Sequence, residues 1–217
     1  MPPRLCGKKI NLMSTIKNII FDLGGVLLNI DYTKTTNAFK ELGYADFDNM
    51  YTMLKANNVF DGLETGHITE TDFYGYMLNA ADGRVTKDQV TEAWNAMILD
   101  FRTESLGFLK QLSKTHKLFL LSNTNIIHKK AFDRIFTEQT GFPSLDDFFT
   151  KAYYSHHVNR RKPNADIFEF VLKDAGITAT ETLYIDDLDP NIKTAGNLGF
   201  KTHLLLPEER IEDLNYG

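Results

Sequence analysis

The chain has a single cysteine among its 217 residues, Cys6, so no intrachain disulfide can form. This fits a reducing compartment, and a cytoplasmic location is expected. No apolar run approaches the roughly 20 residues needed to span a membrane, so no membrane partner is expected. The opening Met1-Pro-Pro-Arg-Leu-Cys-Gly-Lys-Lys lacks the apolar centre of a secretion signal. Basic residues are not in excess. The net charge of −5 argues against broad nucleic-acid binding. There is no His-Glu-x-x-His spacing and no cysteine cluster to suggest zinc. No G-x-G-x-x-G follows Gly24-Gly25, so a dinucleotide fingerprint is missing too. Internal repeats and low-complexity segments are absent, and nothing in the sequence indicates an oligomeric state.

The stretch Ile19-Ile20-Phe21-Asp22-Leu23-Gly24-Gly25-Val26-Leu27 organises what is present. Its apolar start reads as a buried strand of a parallel sheet. It ends on an acid and two glycines. A carboxylate at the carboxyl end of a central strand lies where open α/β sheets bind ligands, and glycine lets the backbone approach closely. Burying Asp22 is costly unless a cation or hydrogen-bond donors meet it.

Residues 1–14 are polar and aperiodic and are expected to form a disordered extension, with Met13 a natural start. Leu28 to Asp31 read as an exit linker. From Tyr32 to about Phe101 the pattern is helical, with no strand candidate. Ala38, Phe39 and Leu42 mark a helix stopped by Gly43. A second, capped by Asp46 or Asp48, carries Met50, Met53 and Leu54. A third holds Phe60 and Leu63. Thr69 with Asp72 and Thr86 with Gln89 begin two more. The rhythm then alternates. Thr103 is expected to cap a helix through Leu112. Strands are expected at Lys117–Asn123, Phe149–Ser155, Thr182–Asp187 and Lys201–Leu206. Helices fall between them at 126–136, 166–175 and 190–198. Alternation of this kind implies a doubly wound parallel α/β sheet, with residues 15–31 and 102–217 as its core and 32–101 as a helical insert.

Four clusters stand at or after strand ends: Asp22-Leu-Gly-Gly, Ser122-Asn123, Lys162, and Asp186-Asp187. In a parallel sheet all of these reach one edge. Three carboxylates in one cleft repel strongly, and a hard cation with oxygen ligands, Mg²⁺, resolves the conflict. Ser122 and the backbone N–H of Asn123 suit phosphoryl oxygens, and Lys162 adds positive charge to the same group. Asp22 can then attack phosphorus as a carboxylate nucleophile. Each piece has a structural alternative: helix caps for Asp186-Asp187, a turn for Ser122-Asn123, a solvated turn at Lys162-Pro163. All four together, in this order, make the structural alternative hard to sustain.

From about Thr15 to Leu206 the chain resembles the haloacid dehalogenase-like (HAD) superfamily of hydrolases. The four motifs fall at hhhhDxx on Asp22, hhhS/T on Ser122, the lysine Lys162, and hhhhDD on Asp186-Asp187. The resemblance implies a Rossmann-like core, a C1-type helical cap, Mg²⁺, and a small phosphorylated substrate, with a sugar phosphate expected. It also implies that the Gly24 carbonyl joins Asp22, Asp186 and Asp187 as a metal ligand. Phe-Asp-Leu-Gly-Gly-Val-Leu, Leu-Ser-Asn-Thr-Asn and Arg-Lys-Pro-Asn-Ala-Asp-Ile-Phe look closest to the bacterial branch containing the α-D-glucose-1-phosphate phosphatase. One departure stands out. Phosphatases of the superfamily usually carry a second Asp where Gly24 stands, and that branch shares the glycine. Asp31 is a candidate replacement acid, with a helix N-cap as its structural alternative. A 2-haloacid dehalogenase and a non-turnover phosphate-binding protein are the competing readings.

Overall fold

The computed structural model describes residues 16–44, 47 and 58–216. The expected N-terminal extension and the helix expected to carry Met50, Met53 and Leu54 lie outside the described residues. Five parallel strands form the main sheet in the order β5-β4-β1-β6-β7. They are β1 (Asn18–Phe21), β4 (Lys117–Ser122), β5 (Lys151–Tyr154), β6 (Thr182–Asp186) and β7 (Lys201–Leu204). β1 is central and wholly buried, with Ile19 opposite both Leu118 and Leu183.

Side-chain alternation splits the core into two layers. Ile19 and Phe21 join Leu118, Leu120 and Ile185 under α5 (Thr103–Leu112) and α6 (Ile126–Thr140). Ile20, Phe119, Leu121 and Tyr184 pack the other face against α8 (Ala165–Ala175) and α9 (Asp189–Asn197). Phe21 and Phe168 are fully buried. Truncating either to alanine is expected to cost about 3–5 kcal/mol.

The insert builds its own apolar centre. Helices α1 (Tyr32–Glu41), α2 (Val59–Glu64), α3 (Glu70–Ala80) and α4 (Lys87–Asn95) gather around Phe39, Phe73, Met77, Val90 and Trp94. Capping boxes start α3 at Thr69 and α4 at Thr86. Asp31 caps α1, accepting from the Thr33 N–H at 2.9 Å. Trp94 stacks on His128 of α6 at 5.0 Å, and Ile127 of α6 joins the same cluster, so the insert rests on the core through that helix.

Two expectations about the insert's boundaries need correction. Leu28–Ile30 is a strand, β2, and Ile98–Phe101 is another, β3; they pair antiparallel with an irregularity between Leu28 and Ile30. The exit and return of the insert therefore zip together. The pairing is invisible locally, because each strand is short and its partner lies some seventy residues away. The return strand's outer edge is closed by Gln139. Its side chain accepts from the Phe101 N–H and donates to the Phe101 carbonyl, both at 2.8 Å. Thr103 does not cap α5. It is the first helical residue, and Arg102 takes the cap position without a side-chain bond. Arg102 is used elsewhere, holding Asn29 at 2.9 Å and the Val26 carbonyl at 3.1 Å.

Candidate active site

Every parallel strand ends at one edge, where a cavity of about 180 Å³ opens between core and insert. Asp22, Gly24, Ser122, Asn123, Lys162 and Asp187 all line it. Asp186, the remaining residue expected at the site, does not. Carboxylate oxygens of Asp22, Asp186 and Asp187 lie within 4.8 Å of one another.

Asp22 sits where β1 leaves the sheet, its N–H still donating to the Ile185 carbonyl at 2.9 Å. The following turn needs glycine at position 25. Its φ is +74°, and a Cβ there would run into the Asp187 carboxylate. Lys162, on the loop between α7 (Ser155–Val158) and α8, is 1% exposed. Its Nζ lies 2.8 Å from Asp22 Oδ1 and 2.8 Å from Asp186 Oδ2. Asn123 fixes that loop, since its side chain donates to the Lys162 carbonyl at 2.8 Å and accepts from the Lys162 N–H at 2.9 Å. With the side chain engaged on the lysine loop, the Asn123 backbone N–H is the group proposed to meet a ligand. Ser122 makes only a 3.5 Å contact with the Asn123 carbonyl.

Asp186 is saturated. Its oxygens accept from Lys162, from the Tyr184 hydroxyl, from the Leu188 N–H at 2.8 Å and from Asn191 at 3.0 Å. It therefore braces the lysine from beneath. Asp187 is half-buried and faces the cavity instead.

The electrostatics follow from this packing. Burial pushes Asp22 up to about 7, with Asp186 and Asp187 adding to the rise and Lys162 opposing it. Burial works against the Lys162 ammonium, but Asp22 and Asp186 outweigh it and hold its pKa above the ordinary lysine value. Burial and Asp186 raise Asp187 as well. Three carboxylates face one ammonium, leaving an excess of two negative charges when all are ionised. That excess, in an oxygen-only donor set, fits a hard divalent cation.

Gly24 offers no side chain, and a Cβ there would meet Ile30 Cδ1 at 3.0 Å. Asp31 does not line the cavity. Its hydrogen bonds from Thr33 hold its pKa below the ordinary aspartate value, so its structural role as N-cap accounts for it. Several functional-looking residues escaped the sequence reading. Tyr184 and Asn191 look like core and helix residues until Asp186 is seen between them. Glu64, at the end of α2, and Arg161, beside Lys162, line the cavity and belong to no strand end. Burial raises Glu64 against the pull of Arg161.

A family model for haloacid dehalogenase-like hydrolases matches residues 16–199. The chain belongs to that family. As a HAD hydrolase it has close relatives. It is 34% identical over 188 residues to a D-ribitol-5-phosphate phosphatase from Bacteroides thetaiotaomicron, covering 86% of this chain and 90% of that protein. A HAD family enzyme from the same organism, solved in complex with magnesium and inorganic phosphate, superposes with a TM-score of 0.80. It shares 34% identity, over 90% of this chain and 97% of its own. A HAD-like hydrolase structure from Porphyromonas gingivalis gives a TM-score of 0.79 at 35% identity, covering 90% of this chain and 93% of the other.

Proposed function

We propose that this HAD hydrolase is a Mg²⁺-dependent phosphomonoesterase acting on a small polyhydroxylated phosphate, a sugar or alditol phosphate. One observation carries the reading: a buried acid, Asp22, held by a buried lysine inside a cluster with two excess negative charges. The oxygens of Asp22 and Asp187 and the Gly24 carbonyl would hold the ion, with Asp186 as the brace for Lys162. The bound ion supplies positive charge against the phosphoryl oxygens and the clustered carboxylates.

The chain's own residues divide the remaining work. Ser122 Oγ and the Asn123 N–H donate to phosphoryl oxygens, and the Lys162 ammonium adds its charge. The Asp22 carboxylate attacks phosphorus. An O–P bond forms to Asp22 as the bond to the leaving oxygen breaks, giving an aspartyl-phosphate. The leaving oxygen takes its proton from water. A second water then attacks phosphorus, releasing phosphate and regenerating Asp22. Residues 32–101 act as the cap that covers this step from water.

Two likenesses support the substrate class. The motif segments resemble the glucose-1-phosphate phosphatase branch, and a 34%-identical relative is named for an alditol phosphate. Both are phosphomonoesters of polyols. The test is a panel of phosphorylated metabolites assayed with Mg²⁺ and after exhaustive chelation. Turnover of sugar or alditol phosphates that vanishes on chelation is expected. Full activity without metal would overturn the assignment and favour dehalogenase-type chemistry.

A further inference from the structure

The cavity contains a second pair of polar side chains that the phosphoryl chemistry does not use. Glu64 ends α2 of the cap, and Arg161 precedes Lys162 on the core loop; both line the cavity and both are about 30% exposed. Arg161 Nη2 approaches Glu64 Oε2 at 3.0 Å, and Nη1 pairs with Asp61. Even so, Arg161 Nε is buried with no hydrogen-bond partner, and Glu64 Oε2 is buried with that ion-pair approach and no hydrogen bond. One is an acceptor and the other a donor. Unpartnered polar atoms are expensive in a folded protein, and those that persist call for an explanation.

A latch between cap and core is the simplest structural explanation. It does not account for the two atoms. Asp61 already ties Arg161 to the cap, Asn159 ties the core loop to the Thr65 carbonyl at 2.8 Å, and Gly66 packs directly on the His156 carbonyl. A pure latch would also be free to satisfy its own groups.

We infer that Glu64 and Arg161 form the specificity site for the leaving alcohol, with Glu64 Oε2 accepting from, and Arg161 Nε donating to, hydroxyl groups of a polyol. A hydroxyl both donates and accepts, so a polyol chain answers the two atoms at once. A leaving group without hydroxyls leaves Arg161 Nε unpaired and Glu64 Oε2 without a hydrogen bond, and sites built around such groups discriminate strongly against it. Neither atom is open to solvent, so the substrate reaches them by parting the Glu64–Arg161 pair as the cap closes on it. The inference rests on the phosphatase reading and names the residues that choose its substrate.

The experiment compares kcat/KM for a pentitol 5-phosphate and for phenyl phosphate in the wild type, Glu64→Leu, Glu64→Gln and Arg161→Lys. The ratio of the two is expected to fall roughly 10- to 100-fold in the variants, the scale of a lost hydrogen bond to a charged group. An equal fall for both substrates would mean that the pair only holds the cap, and would overturn the inference, as would an unchanged ratio. Glu64→Gln keeps the side-chain shape and serves if Glu64→Leu does not fold. If the wild type turns over neither ester, the phosphatase reading fails by itself. The specificity site is then read by calorimetry on Asp22→Asn with Mg²⁺. Tighter binding of pentitol phosphate than of inorganic phosphate, lost with Glu64→Leu, supports it; equal binding of the two in the presence of Glu64 overturns it.

Discussion

Single residues carry the chemistry here, and three of them give sharp tests. Among the described residues Asp22 is the only cavity-lining carboxylate bonded to Lys162, so Asp22→Asn is expected to abolish phosphatase turnover while the fold survives. Comparable turnover by the purified variant would refute the nucleophile role. Asp31 was the one alternative acid legible in the sequence, and its N-cap geometry reassigns it. Asn caps as well as Asp, so Asp31→Asn is expected to change neither turnover nor melting temperature measurably. A drop in kcat without a stability change would return Asp31 to the mechanism. Gly24 has the widest consequence. Position 24 supplies no acid to the leaving oxygen, and Ile30 stands against the space an added side chain would need there. General acid catalysis contributes roughly 10²–10⁴-fold. The rate should therefore depend steeply on leaving-group pKa across a series of phosphate monoesters, with aryl phosphates and sugar 1-phosphates ahead of primary-alcohol esters under conditions where chemistry limits the rate. A flat series would show that a proton donor is present after all.

Elements differ in how far they could be read from the chain. β1, β4 and β6 are continuous apolar runs buried on both faces, so their positions and their polar ends were legible. The caps at Thr69 and Thr86 and the stop at Gly176 were equally legible, because a local side-chain or backbone bond defines each. The β2–β3 ribbon was not. Its strands are half-exposed, and only the distant partner makes either of them a strand. The same limit hid Gln139, Tyr184, Asn191 and Arg161. A residue that acts by bonding across the fold carries no periodic signal. Asp22, Ser122 and Asp187 could be placed at one cavity because strand ends in a parallel sheet converge whatever the intervening sequence, and Lys162 reaches it from the loop after α7. The ribbon gives its own test. Gln139→Ala strips both side-chain partners from the Phe101 backbone at a half-buried edge, which should cost about 0.5–1.5 kcal/mol. Gln139→Glu keeps the acceptor and loses the donor, so it should fall between. Chemical denaturation of the three proteins would read this directly, and an unchanged midpoint in Gln139→Ala would mean that water replaces the side chain.

At the scale of the whole molecule, two apolar centres meet over one charged cavity, and the charge in that cavity links stability to pH and to metal. Asp22 rises from 3.8 to about 7 on folding. The folded, metal-free chain therefore keeps a proton that the unfolded chain has released. This stability is fully present below about pH 4 and is lost as pH rises through about 7, at up to about 1.4 kcal/mol per pH unit. Half-buried His128 and buried His156 act in the opposite sense. Burial lowers them to about 3 and about 4, so their contribution is present above the ordinary histidine value and is lost as pH falls. The two effects overlap between about pH 4 and 6.5, and the raw curve of the wild type conceals both. Subtracting the Asp22→Asn curve isolates the Asp22 contribution: the variant should gain stability relative to wild type as pH rises from about 4 to 7. Mg²⁺ selects the ionised carboxylates, so the stabilisation it gives the wild type should grow over the same interval. At a hundredfold excess over Kd it approaches about 2.7 kcal/mol. In Asp22→Asn the Mg²⁺ effect should be smaller and less steep with pH, Asp187 keeping part of the dependence. Parallel stability curves for the two proteins, or a Mg²⁺ effect in the wild type that is flat with pH, would show that Asp22 is neither the buried, proton-retaining acid nor a ligand of the ion.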